Sequence, residues 1–374
     1  MILHLFDDEK ISNRIVANFN EVFPNGNRYV CFYKNKLRYI KKNQDIIYID
    51  YGKDKCDKNI LDGVNIILIH YLSVRKIHFI NDNIPENLGI KIYWAFWGAD
   101  LYNDVLFSKG YEIYFEKNII SVLKSKVKNI IKYIVDPKDT LKYSVRLKLH
   151  FISSRIDYIL TSDAEYKILE KYLGDVINVE CINKGAIYYP IEDVMGSLFG
   201  KYVEGNNIMI GNSASLTNNH VYAMSFLSKL NTNGRNKNVP LSYGGSPRYI
   251  CHAVKRGLKF WGNEFKPLTD FMPLDDYNKL MLSNNVFIYG NWRQEAVGNI
   301  VIAIYIGAKV FVSERSPLIE YFQSEGVKLY ATEKMTQEDI DTPESIEVIE
   351  NNRKAILKMY SKESIYNNIK SIFS

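Results

Sequence analysis

The sequence predicts an α/β fold of two Rossmann-like domains facing each other across a cleft. Three observations carry this expectation. The chain has 374 residues, enough for two domains of roughly 150 residues each. Short apolar runs rich in β-branched and aromatic residues, without strict alternation, recur between helix-like segments, as parallel strands buried on both faces require. A break from Tyr188 to Gly205, marked by Pro190, Gly196 and Gly200, interrupts that rhythm before it starts again.

In the first half, Met1 to Phe6 reads as an opening strand. A helix from about Asn13 to Val22 follows and stops before Pro24-Asn25-Gly26. Arg28 to Tyr33, Ile46 to Tyr51, Asn65 to His70, Ile90 to Phe96 and Asp157 to Thr161 read as further strands. From Lys117 to Lys148 the character changes. Lys124, Lys126, Lys128, Lys132, Lys138, Lys142 and Arg146 interleave with apolar residues, opposed only by Asp136 and Asp139. This reads as a basic amphipathic segment over 117–150, broken at Asp136-Pro137. It suits either an ordinary surface helix or attachment to an anionic membrane surface.

In the second half, Asn207 to Gly211 reads as a strand, Asn218 to Asn231 as a helix and Pro240 to Tyr243 as a strand. Arg248 to Gly257 should be helical, Lys259 to Trp261 extended, and Leu274 to Ser283 helical. Asn285 to Tyr289 is an expected strand, Gly298 to Gly307 a helix, Lys309 to Val312 a strand and Pro317 to Glu325 a helix. The expected division is 1–195, 205–350 and a helical tail over 351–374.

Composition narrows the function classes. A 47% apolar and 24% charged chain is an ordinary globular one, which argues against long disordered stretches. A net charge of +6 falls well short of a dedicated nucleic-acid binder, yet suits an anionic small molecule or membrane surface. Cys31, Cys56, Cys181 and Cys251 form no CxxC pair, so neither a zinc site nor a disulfide framework is expected. The opening MILHLFDDEK lacks a basic n-region and a long apolar core, and no apolar run approaches roughly 18 residues. The expectation is a cytoplasmic protein, soluble or peripheral to a membrane.

The sharper chemistry lies in the second half. Gly211-Asn212-Ser213 follows an apolar strand and precedes a helix, a common place for an anion or ligand loop. Tyr289 to Ile300 repeats the arrangement: a strand ends, a polar loop with Arg293 follows, and an apolar helix starts near Gly298-Asn299. Backbone N–H groups at that start can receive a diphosphate, and Arg293 can add charge-assisted contacts. Tyr243, Trp292 and Tyr189 are candidates to line a base or sugar pocket, although core packing is the commoner fate of aromatics here. In the first half, Asp8, His70 and Asp100 each follow a strand at the same sheet edge, and each is a candidate general base toward a hydroxyl. Asp100 lies in the unusual run Trp97-Gly98-Ala99-Asp100-Leu101-Tyr102. No phosphate-binding GxxxxGK[ST], GxSxG, HExxH or GxGxxG occurs. Asp339-Ile340-Asp341 follows polar residues rather than a strand, so a metal-bridged site is not expected and no cofactor is implied.

These pieces resemble family 56 glycosyltransferases, the bacterial TDP-4-acetamido-4,6-dideoxygalactose (Fuc4NAc) transferases. The pieces are His4-Leu5 with Asp8 and Asn13-Arg14, His70, Trp97 to Tyr102, Tyr189-Pro190, Gly211-Asn212-Ser213, Asn219-His220-Val221, Val239-Pro240 with Tyr243, and Arg293-Gln294 with Gly298 and Gly307. The family's Arg-Gln-Gln-Gly-Ile-Gly-Thr stretch reads here Arg293 to Asn299, with Glu295 and Ala296 as departures. The resemblance implies a GT-B fold and inverting, metal-independent transfer. A nucleotide-diphosphate sugar donor would be held by Gly211, Asn212, Ser213, His220, Tyr243, Arg293, Gln294, Glu295, Gly298 and Asn299. A lipid-linked saccharide acceptor would lie by Asn13, Trp97, Gly98 and Tyr102, at an anionic inner-membrane surface. Asp8 is the first choice for base, ahead of Asp100 and His70. Open alternatives are a UDP-hexose transferase on the same fold and a non-catalytic sugar- or nucleotide-binding protein.

Overall fold

The computed structural model describes residues 1–50, 58–115 and 141–374, which form two compact units. The first unit takes the described parts of 1–111 and 141–190 together with Lys362–Ser374; the second takes 112–115 and Ile191–Ser361. The chain thus changes unit at Pro190, and the expected 351–374 tail is divided between the two.

The first unit is built on a seven-stranded, wholly parallel sheet. Its strands are β1 (Ile2–Asp7), β2 (Asn27–Tyr33), β3 (Ile46–Asp50), β4 (Ile66–His70), β5 (Lys91–Ala95), β6 (Tyr158–Leu160) and β7 (Glu180–Ile182). The spatial order is β3-β2-β1-β4-β5-β6-β7, so the chain reverses direction across the sheet between β1 and β4. Ligands of open α/β sheets bind outside the carboxyl ends of strands at such a reversal. Helices α1 (Ser12–Val22), α2 (Val74–Asn83), α3 (Leu141–Arg155) and α4 (Asp163–Leu173) cross between strands. The last helix of the chain, here α11 (Lys362–Phe373), returns to this unit. It lays Ile365, Ile369, Ile372 and Phe373 against Ile15 and Phe19 of α1, with the Phe19 and Phe373 rings 5.5 Å apart.

The second unit carries a six-stranded parallel sheet. Its strands are β8 (Asn207–Ile210), β9 (Lys237–Pro240), β10 (Phe265–Leu268), β11 (Asn284–Tyr289), β12 (Lys309–Val312) and β13 (Tyr330–Ala331), in the order β10-β9-β8-β11-β12-β13. The reversal here falls between β8 and β11, where Ile210 pairs with Ile288. The longer helices are α5 (His220–Leu227), α6 (Pro247–Trp261), α7 (Leu274–Leu282), α8 (Val297–Tyr305), α9 (Pro317–Ser324) and α10 (Ile346–Tyr360). Helix α6 starts where Ser246 caps the N–H of Tyr249 and Pro247 takes a first-turn position that needs no donor. Helices α5 and α8 are apolar nearly all round because sheet and neighbours cover them.

Three expectations change. The strand expected at Pro240–Tyr243 is Lys237–Pro240, because Leu241 to Ser246 turn to deliver the capped start of α6. Lys259 to Trp261, expected extended, is the last turn of α6; the strand follows at Phe265–Leu268. The basic segment lies outside the described residues up to 140, and its final stretch is α3. There Lys148 is buried: its ammonium donates to Asp104 Oδ2 at 2.6 Å and to the Asp100 carbonyl. It is a core ion pair and not a membrane-facing charge.

Candidate functional site

In the second unit, the candidate site grows from the ends of β8 and β11. The Gly211 N–H still pairs with the Ile288 carbonyl at 2.9 Å, and then the chain turns with Gly211 at φ +71°. A β-carbon there would stand 2.7 Å from His220 Nε2 and 2.8 Å from Asn218 Oδ1, so both the turn and the packing require glycine. Asn218 is fully buried and joins three loops. Its Oδ1 accepts the Asn212 N–H at 2.9 Å, while its Nδ2 donates to Ser213 Oγ at 3.1 Å and Glu295 Oε1 at 3.2 Å. Tyr243 is exposed, and its carbonyl accepts the Ala214 N–H at 2.7 Å, bringing the β9–α6 turn alongside.

Glu295 is the ionic centre of the loop after β11. It accepts from Thr217 Oγ1 at 2.5 Å, Asn291 Nδ2 at 2.9 Å and Asn218 Nδ2, and pairs with the Arg293 guanidinium at 3.1 Å. Arg293 is 6% exposed and also donates to Thr217 Oγ1 and to the Gln294 carbonyl. The glutamate departure therefore neutralises and fixes Arg293. Ala296, at φ +66°, starts α8; Gly298 and Asn299 lie in its first turn, and Asn299 Oδ1 accepts the Tyr277 hydroxyl at 3.0 Å.

Buried polar atoms are ordinarily paired. Around this point Asn212 Oδ1, His220 Nε2, Asn291 Oδ1, Arg293 Nε and Gln294 Oε1 are buried without a hydrogen-bond partner. The His220 imidazole is assignable. The Tyr249 hydroxyl accepts the His220 backbone N–H at 3.2 Å, so its own proton points to Nδ1 at 2.9 Å and the ring proton sits on Nε2. Burial lowers the His220 pKa to about 3, which keeps that donor neutral. Donors and acceptors left over at a switch point, beside the starts of α5 and α8, suit a polar anionic ligand.

The first unit brings its expected bases together differently. His70 and Asp100 are both fully buried. The Tyr188 hydroxyl lies 2.5 Å from His70 Nδ1, His70 Nε2 lies 3.1 Å from His4 Nδ1, and His4 Nε2 lies 3.0 Å from Asn27 Oδ1. Asn27 Nδ2 is spent on the Phe19 and Phe23 carbonyls, so its oxygen accepts and the protons run one way from Tyr188 to Asn27. Burial holds both imidazoles neutral, His4 at about 3 and His70 well below its ordinary value. Asp100 accepts from Trp94 Nε1 at 2.8 Å and from the N–H groups of Leu72 and Trp97 at 3.2 Å; burial raises its pKa to about 6. The Trp97–Tyr102 run is accordingly a strand-end scaffold. Gly98 takes φ +81°, and Tyr102 is fully buried on Glu165 at 2.8 Å, leaving Trp97 and Ala99 partly exposed. These placements correct the expectation that His70 and Asp100 act as bases and that Gly98 and Tyr102 face an acceptor: each is enclosed and spent on internal bonds.

Asp8 remains partly exposed, but its carboxylate accepts three successive backbone N–H groups, from Arg38, from Tyr39 at 3.0 Å and from Ile40 at 2.8 Å. Asn13 ties the same loop, donating to the Tyr39 carbonyl at 3.0 Å and accepting the Lys41 N–H at 3.3 Å. Two neighbours escaped the sequence reading. Asp7 pairs with the fully buried Lys76 at 2.5 Å, and that ammonium also donates to the His70 and Tyr71 carbonyls. Glu9 is exposed, and partial desolvation, then the charges of Asp7 and Asp8, raise its pKa. The run of three acids that begins at the last residue of β1 was the available signal.

Residues 181–365 match the family described as 4-alpha-L-fucosyltransferase, glycosyl transferase group 56. Among solved structures, sucrose-phosphate synthase from Thermosynechococcus elongatus is similar at TM-score 0.61 and 11% identity, covering 100% of this chain and 98% of that one. Anabaena Alr3699/HepE in complex with UDP-glucose aligns at TM-score 0.61 and 11% identity, over 100% and 99% of the two chains. A glycosyltransferase from Rickettsia africae aligns at TM-score 0.62 and 11% identity, over 99% and 97%. Two parallel-sheet α/β units of this kind give the chain the GT-B fold. The family match, which falls mostly on the second unit's sequence, supports a glycosyltransferase of family 56.

Proposed function

We infer that the protein transfers a Fuc4NAc-like sugar, with inversion and without a metal, from a TDP-linked donor to an undecaprenyl-diphosphate-linked saccharide in O-antigen or related surface polysaccharide synthesis. The observation that carries the donor half is the set of unpaired buried polar atoms where β8 and β11 end. There His220 Nε2–H, Arg293 and the start of α8 would stabilise the departing diphosphate, which gains charge as the sugar bond breaks. The first unit would supply the base. Asp8 serves as the anchor of loop 38–40, and Glu9 beside it takes the acceptor proton. Its raised pKa strengthens it as a base. None of the described helices is long and apolar enough to cross a membrane, so a lipid-linked acceptor would be met from the membrane surface.

A second reading, a UDP-hexose donor, is favoured by one observation: HepE of Anabaena has been solved with UDP and with UDP-glucose. Thermal shift against TDP, UDP and GDP separates the two, since a ligand that binds only the folded chain raises the midpoint by mass action. The largest shift is expected with TDP. A larger shift with UDP moves the assignment to the second reading, and no shift with any nucleotide removes both.

A further inference from the structure

A cavity of about 480 Å³ opens in the first unit, lined by Asn13, Val16, Lys41, Lys42, Asn43, Gln44 and Ile46. That volume is in the range of small-molecule sites. Its lining holds two cations, three amides and two aliphatic side chains, and no acid. Both lysines are exposed, and neither is ion-paired with a described residue. Adjacent unpaired ammonium groups over an amide-lined floor select an anion of high charge density.

The wall is held in place by bonds that involve no ligand. Asp8 gathers the N–H groups of residues 38–40, and Asn13 clamps Tyr39 and Lys41 from α1. The Tyr48 hydroxyl accepts the Asn43 N–H at 2.9 Å and donates to the Lys41 carbonyl at 3.4 Å, and Asn43 Oδ1 accepts the Asp45 N–H at 3.0 Å. A loop ordered in advance has little conformational freedom left to lose on binding. Asp8 follows directly on β1, so the cavity is tied to the switch-point edge of the sheet, next in sequence to Glu9.

We propose that this cavity is a phosphate site, in which Lys41 and Lys42 hold a phosphate or diphosphate ester while Val16 and Ile46 cover the apolar or sugar stem attached to it. The proposal rests on the transferase reading for its occupant, the diphosphate of the lipid-linked acceptor. An anionic phospholipid headgroup presents the same chemistry. No bond is made or broken at the site; it positions.

The test compares the wild-type chain with the double variant Lys41→Gln/Lys42→Gln by titration calorimetry, with excess TDP present to fill the donor site. Farnesyl diphosphate is the probe, with farnesol, inorganic pyrophosphate and phosphatidylglycerol vesicles in separate arms. The wild type is expected to bind farnesyl diphosphate and not farnesol. The double variant should bind it about tenfold more weakly or less, and added salt should weaken the wild type toward that level. Lysine-dependent binding of the vesicles alone, with none of farnesyl diphosphate, keeps the phosphate site and gives it to the headgroup. Equal affinity in both proteins, or no phosphate-bearing ligand bound by the wild type, overturns it. The TDP-induced midpoint shift of the double variant should equal that of the wild type. A shift missing from both indicts the donor reading and leaves the lysine comparison standing.

Discussion

At Gly211 a single missing side chain decides whether the loops after β8 and β11 can meet. The backbone there has φ +71°, and an added β-carbon would press on His220 Nε2 and Asn218 Oδ1, both under 3.0 Å away. Gly211→Ala therefore combines a left-handed backbone penalty with overpacking, and should cost about 2 kcal/mol. The midpoint should fall, and the nucleotide-induced shift should shrink as Asn218 is pushed off Asn212 and Ser213. A variant with wild-type midpoint and shift would show that the loop is not built as described. Glu9 tests the other unit. Glu9→Gln keeps the size and removes the proton acceptor, so turnover should fall by roughly 10²- to 10⁴-fold while nucleotide stabilisation is unchanged. Asp8→Asn should act differently. It leaves Glu9 in place but weakens the hold on loop 38–40, so the acceptor KM should rise more than kcat falls. Retained turnover in Glu9→Gln takes the base elsewhere.

At the scale of elements, periodicity found what periodicity encodes. The buried parallel strands were legible because two-sided burial leaves uninterrupted runs such as Ile66 to Ile69 and Val286 to Tyr289. The two glycine-marked strand ends in the second unit were legible for the same reason, since loop chemistry follows an apolar stop. Short or amphipathic elements were not. β7 has three residues and β13 two, and β10 contains Pro267, so nothing local separates them from loops. Roles at the first sheet's edge were also hidden, because a carboxylate read from sequence looks the same whether it meets solvent or, like Asp100, an indole and two backbone N–H groups. The return of α11 to the first unit is a long-range fact that no local pattern holds. It has a consequence: Ile369 is fully buried in that unit's core, so Ile369→Ala should cost about 2–5 kcal/mol there. Differential scanning calorimetry should show a lowered first-unit transition with the nucleotide shift retained. A wild-type trace would mean that α11 is not seated against α1.

For the whole molecule, proton linkage ties both units to pH through histidines that burial keeps neutral. His4 and His70 in the first unit and His220 in the second are lowered, with His4 and His220 at about 3 against an ordinary value of 6.5. Between those values the unfolded chain binds protons that the folded chain does not, so stability grows with rising pH and is lost as pH falls below 6.5. Asp100, raised to about 6, and Glu9, also raised, act in the opposite sense, since the folded carboxyls take up protons before the unfolded ones. Both opposing groups lie in the first unit, where they offset part of the His4 and His70 effect. In the second unit His252 is lowered too, and His220, fully buried, carries a large shift of its own. Its contribution at pH 5 is a loss of about 2 kcal/mol relative to neutral pH, from roughly 1.4 kcal/mol per unit over the span below 6.5. Melting followed from pH 7.5 to pH 5 should therefore show the second unit's transition falling. His220→Gln should lower the midpoint at pH 7.5 and flatten this dependence, because a glutamine cannot take up the proton. A transition that holds steady or rises on acidification would mean that His220 is not sealed between Tyr249 and Gly211, and the neutral Nε2–H assigned to the departing diphosphate would fall with it.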